Sequence, residues 1–473
     1  MNQANEQSTV PGEAPKGQLS AYHRRSILSL GAIFAIYVLT YLLLWPEAPV
    51  LESDSPGYMA MARDLSHGRL NQPSIRTPGY PLLLLATGSS RSPTKTLFVT
   101  GLIFHFLVLC IVMAVLRKNR APRPAVLVSA VLLLLPYNVQ SAGFVMTENL
   151  TELALVVAVC LLLWAAREPR VSSACAAGAA IGATALIRPT YQLLWVALTL
   201  SVWLAWYMSP GGNRGLKKPF IMTAVTFLVV ATMLGGYCGY NQKRFGYFGL
   251  TYALGINLLD RTALFVERLP ESYEPLRSSL IRLRDKGLIE GKSHTAEQYP
   301  WGRHWEELKG ELGRKDDVGL AKDLARANAL LILKNPLNYL LAVAKSAVGL
   351  LFPHVTTFVS RGSTLAQGLW STMHFLTLAA FFLQLCFVLG SELWTQSLRW
   401  SGCPASDHGG ERGWRLAYFV SLGGLAYTIA VSAATSTGNP RYRSPADALL
   451  IMNAALGFGL WSQRLRTARG ARG

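Results

Sequence analysis

"SILSLGAIFAIYVLTYLLLW", residues 26–45, carries no charge from end to end. A bilayer core is crossed by a helix of ~20 apolar residues, so this run is long enough to span. Comparable runs recur at 96–116, 124–140, 150–166, 174–187, 190–208, 220–238, 366–390, 414–434 and 446–463. Hydrophobic residues make up 51% of the 473, and they are gathered into these runs rather than interleaved with charge. The reading is an all-α polytopic membrane protein with about ten transmembrane helices. A polar arm, and no short charged region with a small-residue cleavage site, accompanies the first run, which reads as a retained anchor.

The formal net charge is +19, which by itself would suit a nucleic-acid partner. Its placement excludes that reading. The basic residues fall in alternate short loops: "HRR" (23–25), "RKNRAPR" (117–123), "REPR" (167–170), "NRGLKK" (213–218) and the tail "RLRTARGARG" (464–473). The loop "PYNVQSAGFVMTEN" (136–149) has no Lys or Arg. Under the positive-inside rule both termini are cytoplasmic, in the plasma (inner) membrane, and that loop is external. The cysteines are bland. Cys110, Cys160, Cys175, Cys238 and Cys386 lie in apolar runs and Cys403 in a loop, without CxxC spacing, so neither a disulfide framework nor a zinc site is expected.

This topology divides the chain into a cytoplasmic arm (1–25) and an N-terminal transmembrane module (26–238) that contains a first external loop (46–95). A long external loop (239–335), a C-terminal transmembrane module (336–463) and a basic cytoplasmic tail (464–473) follow. The stretch 322–352 has helical periodicity broken at Pro336 and punctuated by Lys334 and Lys345; it reads as amphipathic helix at the interface or re-entrant. There is no internal repeat, Walker A sequence, HExxH or GxSxG. The glycines of "GAAIG" (178–182) and "GYCG" (236–239) suit close helix packing.

The external face collects the chemistry. In "LESDSPGYMAMARDL" (51–65), a short helix is predicted from Ser55, with Pro56 in its first turn and Gly68 ending it. Asp54 is either the helix N-cap or a functional carboxylate. Tyr58 is either an interfacial anchor or a pocket wall. "RTPGYP" (76–81) predicts a type II turn centred on Pro78 and Gly79, with a surface helix beginning at Pro81. Arg76 before it either snorkels to headgroups or meets a substrate. Glu148 stands at a helix start, where the dipole favours an acid, and Arg188 at a helix end, where an anchor would also sit. Arg441 and Arg443, in "NPRYRSP" (439–445), oppose the positive-inside bias on an external face, and an anionic ligand would explain them. Trp301 and Trp305 either stack on a sugar or form the long loop's own core.

The ordered set "DSPGYMAMA", "RTPGYP", "TENL", "IRP" and "RYRSP" resembles the GT-C superfamily of membrane glycosyltransferases. The nearest group in pattern is the bacterial relatives of protein O-mannosyltransferases and of lipid A aminoarabinose or galacturonate transferases. The resemblance covers nearly the whole chain. It implies a polyprenyl-phosphate sugar donor, transfer on the external (periplasmic) face, and an envelope lipid, glycan or protein hydroxyl as acceptor. It also implies that the first-loop acid, here Asp54, acts as the base or helps hold a divalent cation where one is required. Glu52 is the one candidate for the second acid that many members carry. Tyr58, Arg76, Glu148, Arg188, Arg441 and Arg443 become substrate-binding candidates, the arginines because guanidinium groups stabilise a phosphate leaving group. A desolvated carboxylate gains basicity, which would suit Asp54.

Two other classes stay open. A transporter or flippase for a lipid-linked saccharide would also gather arginines, and a non-catalytic receptor would tolerate Asp54→Asn because an N-cap survives that change.

Overall fold

The computed structural model describes residues 32–43, 48–68, 70, 73–208, 217–289, 305–314, 316–352, 364–400, 411–435 and 439–470. The arm 1–25, Trp301 and Cys403 lie outside the described residues, as do the side chains of the basic tail. The chain divides into two compact units, Met1–Ala48 and Pro49–Gly473. The first contains α1 (Ala32–Leu43), in which the Tyr37 and Tyr41 rings meet at a tilt with their centres 5.1 Å apart.

In the second unit, α2 (Ser55–Ser66) and α3 (Gly79–Ala86) precede α4 (Lys95–Lys118), α5 (Arg123–Leu134) and the short α6 (Pro136–Val139). Then follow α7 (Glu148–Arg167), α8 (Val171–Ile187), α9 (Leu194–Tyr207) and α10 (Lys217–Phe245). A polar segment forms α11 (Leu254–Thr262), α12 (Glu274–Ile289), α13 (Trp305–Glu311) and α14 (Asp317–Lys334). The chain closes with α15 (Pro336–Leu351), α16 (Thr364–Trp400), α17 (Glu411–Thr435) and α18 (Asp447–Gly470). Among the described residues there is no strand; Val50 and Phe144 form one isolated parallel bridge.

Five of these helices contain a stretch long and apolar enough to cross a membrane: Lys95–Lys118, Glu148–Arg167, Lys217–Phe245, Ser371–Glu392 and Gly413–Thr435. Ala32–Leu43, Arg123–Leu134, Val171–Ile187 and Pro336–Leu351 are apolar but shorter. Two predicted spans are shorter as helices than their apolar runs because proline interrupts the ladder. The run 124–140 breaks before Pro136, and 190–208 is helical only from Leu194, after a 3₁₀ turn at Pro189–Tyr191.

Glycine contacts explain part of the packing. A Cβ on Gly178 would lie 2.9 Å from Thr226 O, and one on Gly182 would lie 2.8 Å from Met233 Sδ, so α8 and α10 approach through these positions. Gly236 and Gly239 have nothing within 4 Å, and the packing role read for "GYCG" is not realised. Buried polar pairs cross-link other helices: His105 Nδ1 lies 3.1 Å from Glu152 Oε2, joining α4 to α7. Arg415 Nε donates to Glu392 Oε1 at 3.2 Å, joining α17 to α16.

The segment read as a long loop is helical and has its own core. Leu259, Phe265, Leu280, Leu283, Leu324 and Leu331 cluster there, and Trp305 packs against them while donating to Asp317 Oδ1 at 2.9 Å. Trp305 therefore takes the core alternative. The predicted break at Pro336 separates α14 from α15, and Tyr339 of α15 donates to Ala434 O at the end of α17, 3.0 Å away.

Candidate functional site

Three backbone devices bring distant segments together. Val50 N donates to Gly143 O (2.9 Å), Val145 N to Val50 O (3.0 Å), and Ser55 Oγ to Val145 O (2.8 Å). These bonds lay residues 50–55 beside the start of α7. Next, Thr77 Oγ1 donates to Ile187 O at 3.2 Å, and Gly79 abuts the end of α8, where a Cβ would lie 2.8 Å from Leu186 O. That contact explains the glycine. α3 starts at Gly79 with Pro78 already helical (φ −73°, ψ −18°), so the predicted type II turn and the Pro81 start are replaced by close packing. Finally, two 3₁₀ turns, Pro440–Tyr442 and Ser444–Ala446, lead into α18.

Asp54 sits where these devices meet. It occupies the N-cap position of α2 with helical dihedrals (φ −87°, ψ −18°) and makes no side-chain cap bond. An N-cap side chain reaches its own helix from extended dihedrals, so the helical ones here turn the carboxylate away. Its oxygens are taken by two guanidiniums instead. Arg76 Nη2 donates to Oδ1 at 2.8 Å and Arg441 Nη2 to Oδ2 at 2.7 Å. Glu148, buried at the first position of α7, has Arg441 Nε at 3.2 Å and Arg188 Nη1 at 3.4 Å from Oε1. Arg441 thus bridges the two carboxylates.

Aromatic faces hold the arginines. The Arg76 guanidinium lies 4.7 Å from the Tyr58 ring centre, and its Nη1 donates to the Tyr58 hydroxyl at 3.4 Å. Arg188 and Arg441 each lie 5.3 Å from the Tyr442 ring. Tyr442 was not singled out by sequence reasoning, although it stands between the two arginines that were. Alternation of Arg and Tyr in "RYR" is the signal that would have found it.

Three guanidiniums face two carboxylates, which leaves one positive charge in excess. Burial alone would raise the Asp54 carboxyl, but the Arg76 and Arg441 charges and hydrogen bonds outweigh it and hold the group below its ordinary value. The gain in basicity expected from desolvation is therefore reversed. Burial would likewise lower Arg441, yet Glu148, Tyr442 and Asp54 hold its pKa above the ordinary arginine value. Arg76 Nε, both Glu148 oxygens, Arg188 Nη1 and Arg441 Nε are buried without a well-directed hydrogen bond. Buried polar atoms are normally bonded, and such a cluster calls for a ligand or ordered water.

Two candidates fall outside this cluster. Arg443 is fully buried and its guanidinium is spent on the fold. It donates to Asp447 Oδ1 (2.7 Å) and Leu350 O (2.7 Å), and its Nη1 lies 3.2 Å from His374 Nε2. The 3₁₀ turn sends Arg441 and Arg443 into different surroundings. The Glu52 carboxylate has no hydrogen-bond or ion-pair partner among the described residues, and its backbone carbonyl receives Ser55 N.

The residues do not fit a divalent cation. Both Asp54 oxygens carry guanidiniums, and no group of three His, Cys, Asp or Glu side chains that could hold a metal occurs among the described residues. The donor set suits an anion.

An apolar groove of about 770 Å³ runs between α5, α16 and α18, lined by Val128, Leu132, Leu376, Phe387 and Phe458 among others. An adjoining small cavity shares Leu132, Met373 and Ile451 with it and ends on Asn138, His374 and Asp447.

These features define an all-helical protein with membrane-length apolar helices and a cationic, carboxylate-braced centre at one end of them. No family model matches the chain, and no curated protein matches it. Among solved structures it is similar to the oligosaccharyltransferase AglB of Archaeoglobus fulgidus in complex with an inhibitory peptide and a dolichol-phosphate. That match has 14% identity and a TM-score of 0.49, over 93% of this chain and 51% of that one. The apo crystal structure of the Archaeoglobus fulgidus oligosaccharyltransferase gives 14% identity and a TM-score of 0.49, over 94% and 51%. The chain spans about half the length of these proteins. The likeness concerns the course of the helices and assigns no activity.

Proposed function

We propose that the chain is a membrane glycosyltransferase of GT-C type that moves a sugar from a polyprenyl-phosphate donor to an envelope acceptor on the extracytoplasmic face. The observation that carries this reading is Arg441, held between Asp54 and Glu148 with its buried Nε 3.2 Å from Glu148 Oε1 but without a well-directed hydrogen bond. A phosphate entering there gains guanidinium partners without any new positive charge having to be buried. As the glycosidic bond breaks, charge grows on the phosphate, and preorganised guanidiniums stabilise that growth. Asp54 orients Arg76 and Arg441 for this task. Service as the base requires that the donor phosphate first draw those two guanidiniums away, because in their grip the carboxylate is a weak proton acceptor. Tyr58 and Tyr442 keep the arginines fanned out. The groove between α5, α16 and α18 suits a polyprenyl tail, since its lining is apolar and the small cavity adjoining it ends on His374 and Asp447, the partners of Arg443.

The test is mass-spectrometric profiling of envelope lipids and glycoproteins in a strain lacking this chain, complemented with wild type or Arg441→Gln at equal membrane levels. Loss of one sugar-sized mass increment in both the null and the variant supports transfer. Intact increments in the null sink it. Accumulation of an unchanged lipid-linked sugar on the cytoplasmic leaflet, with all transferases present, favours the flippase alternative.

A further inference from the structure

Lys345 is the one charged residue in α15, whose other residues are apolar or neutral. A charge on such a helix is costly beside lipid and asks for a reason. For a lone lysine, reaching along its own methylene stem to water would be reason enough. Lys345 is not alone. It shares the lining of a cleft of about 420 Å³ with Arg268, which ends the 3₁₀ turn Ala263–Arg268 after α11. The turn also contributes Leu264 and Phe265, and α15 contributes Asn338, Leu341 and Ala342. Positions 338, 341, 342 and 345 follow the spacing of one helix face, so two cations from separate elements meet in one cavity.

The charges in this cleft are not balanced by its acid. Glu267 is the one acidic residue on the lining, and it is bound to Arg284 Nη2 at 2.6 Å. Arg268 is held by a neutral group: its Nη1 donates to Asn335 Oδ1 at 2.7 Å, one bond from a guanidinium with five N–H groups. A neighbouring cleft of about 480 Å³, which also touches Glu267, has the opposite arrangement. Its arginines, Arg277 and Arg282, are bound to the carboxylates of Glu274 and Glu311.

Apolar surface adjoins the two cations. Leu337, Leu340, Leu341 and Val348 form an exposed stripe on α15, and Leu341 stands on the edge that the stripe shares with the cleft. The stripe lies about a quarter-turn round the helix from the cleft face. Exposed apolar stripes of this kind mark sites of interaction with lipid or protein.

We propose that the cleft between the 263–268 turn and α15 binds an anionic phospholipid, its phosphate between Arg268 and Lys345 and an acyl chain along the leucine stripe past Leu341. The assignment does not depend on glycosyl transfer. A guanidinium takes phosphate oxygens in pairs, and an ammonium adds a compact point charge. A free anion would use the cations and leave the leucines bare, whereas a neutral lipid would use the leucines and leave the cations unanswered. An anionic amphiphile uses both. The opposite side of α15 is spent on the fold: Tyr339 donates to Ala434 O at 3.0 Å, and Leu350 O accepts from Arg443 at 2.7 Å. A lipid seated in the cleft therefore braces the turn after α11 against the helix on which Arg443 rests.

The test exposes full-length protein in mild detergent to phosphatidylglycerol or phosphatidylcholine with identical acyl chains, and counts retained lipid by native mass spectrometry. Wild type is expected to prefer phosphatidylglycerol by about tenfold or more. Combined Arg268→Gln and Lys345→Gln should erase that preference, and Arg282→Gln in the neighbouring cleft should leave it intact. Leu341→Ser should weaken retention of both lipids. These side chains are exposed, and melting in phosphatidylcholine nanodiscs checks that each variant is folded. Wild type alone supplies a second readout: added salt should release phosphatidylglycerol and leave phosphatidylcholine in place. Equal retention of the two lipids by wild type overturns the assignment, as does a preference that survives the double substitution. Displacement of phosphatidylglycerol by an equal concentration of inorganic phosphate overturns it in favour of a free-anion site. Loss of sugar transfer in the double variant with phosphatidylglycerol retention unchanged overturns it in favour of an acceptor site.

Discussion

Arg441 Nη2 donates to Asp54 Oδ2 at 2.7 Å across 387 positions of sequence. The same guanidinium sets its Nε 3.2 Å from Glu148 Oε1, so one side chain ties the segment before α18 to the first loop and to the start of α7. Much of the candidate site's behaviour follows from this bridge.

Asp54→Asn separates a helix cap from a charge partner. Asn caps as well as Asp, so a capping role predicts no loss of stability. Because the cap bond is absent and both oxygens serve arginines, the substitution is expected to cost about 1–3 kcal/mol. Thermal unfolding in nanodiscs measures this, and an unchanged melting temperature would contradict the geometry.

Arg441 and Arg443 should part company. Arg441→Lys keeps the charge but cannot reach two carboxylates from a planar fork, and transfer is expected to fall by about 10²-fold with normal membrane levels. Arg443→Gln leaves Asp447 buried beside an uncharged group, at a cost of about 3–5 kcal/mol. Quantitative immunoblotting of membranes against specific activity distinguishes them: the first loses activity per molecule, the second loses molecules.

The Asp54 carboxyl gives an acid-side signature. Its pKa is lower in the folded protein than the 3.8 of a free aspartate, so its contribution to stability is complete above that value and disappears as pH falls through the folded one. Melting temperature followed downward from pH 6 should show a step below about pH 4. Asp54→Asn should flatten that step.

Asp260 gives the opposite signature. Its folded pKa of about 8 lies above the unfolded 3.8, so the folded state holds the extra proton, and stability declines between those two values as pH rises. Asp260→Asn is therefore expected to melt higher than wild type at pH 8, by a margin that shrinks toward pH 4. Equal melting temperatures at pH 8 would mean that the carboxylate is not desolvated.

Apolar runs announced the helices because burying backbone in a bilayer leaves few alternatives to a helix, and each proline marked where the ladder stopped. Pro136 and Pro189 shortened two predicted spans for that reason, and Gly68 ended α2 with the positive φ of 71° that a stop there requires. Residue types at the site were legible too: Asp54, Tyr58, Arg76, Glu148, Arg188 and Arg441 all enter one cluster. Local sequence could not say whether Asp54 would cap its helix, or which of the two arginines in "RYR" would face it. Those outcomes depend on long-range packing, on the Val50–Phe144 bridge and the Gly79 contact with α8. Charge partners hundreds of residues apart are chosen by how helices pack, and a carboxylate becomes a cap or a clamp according to which of them it meets.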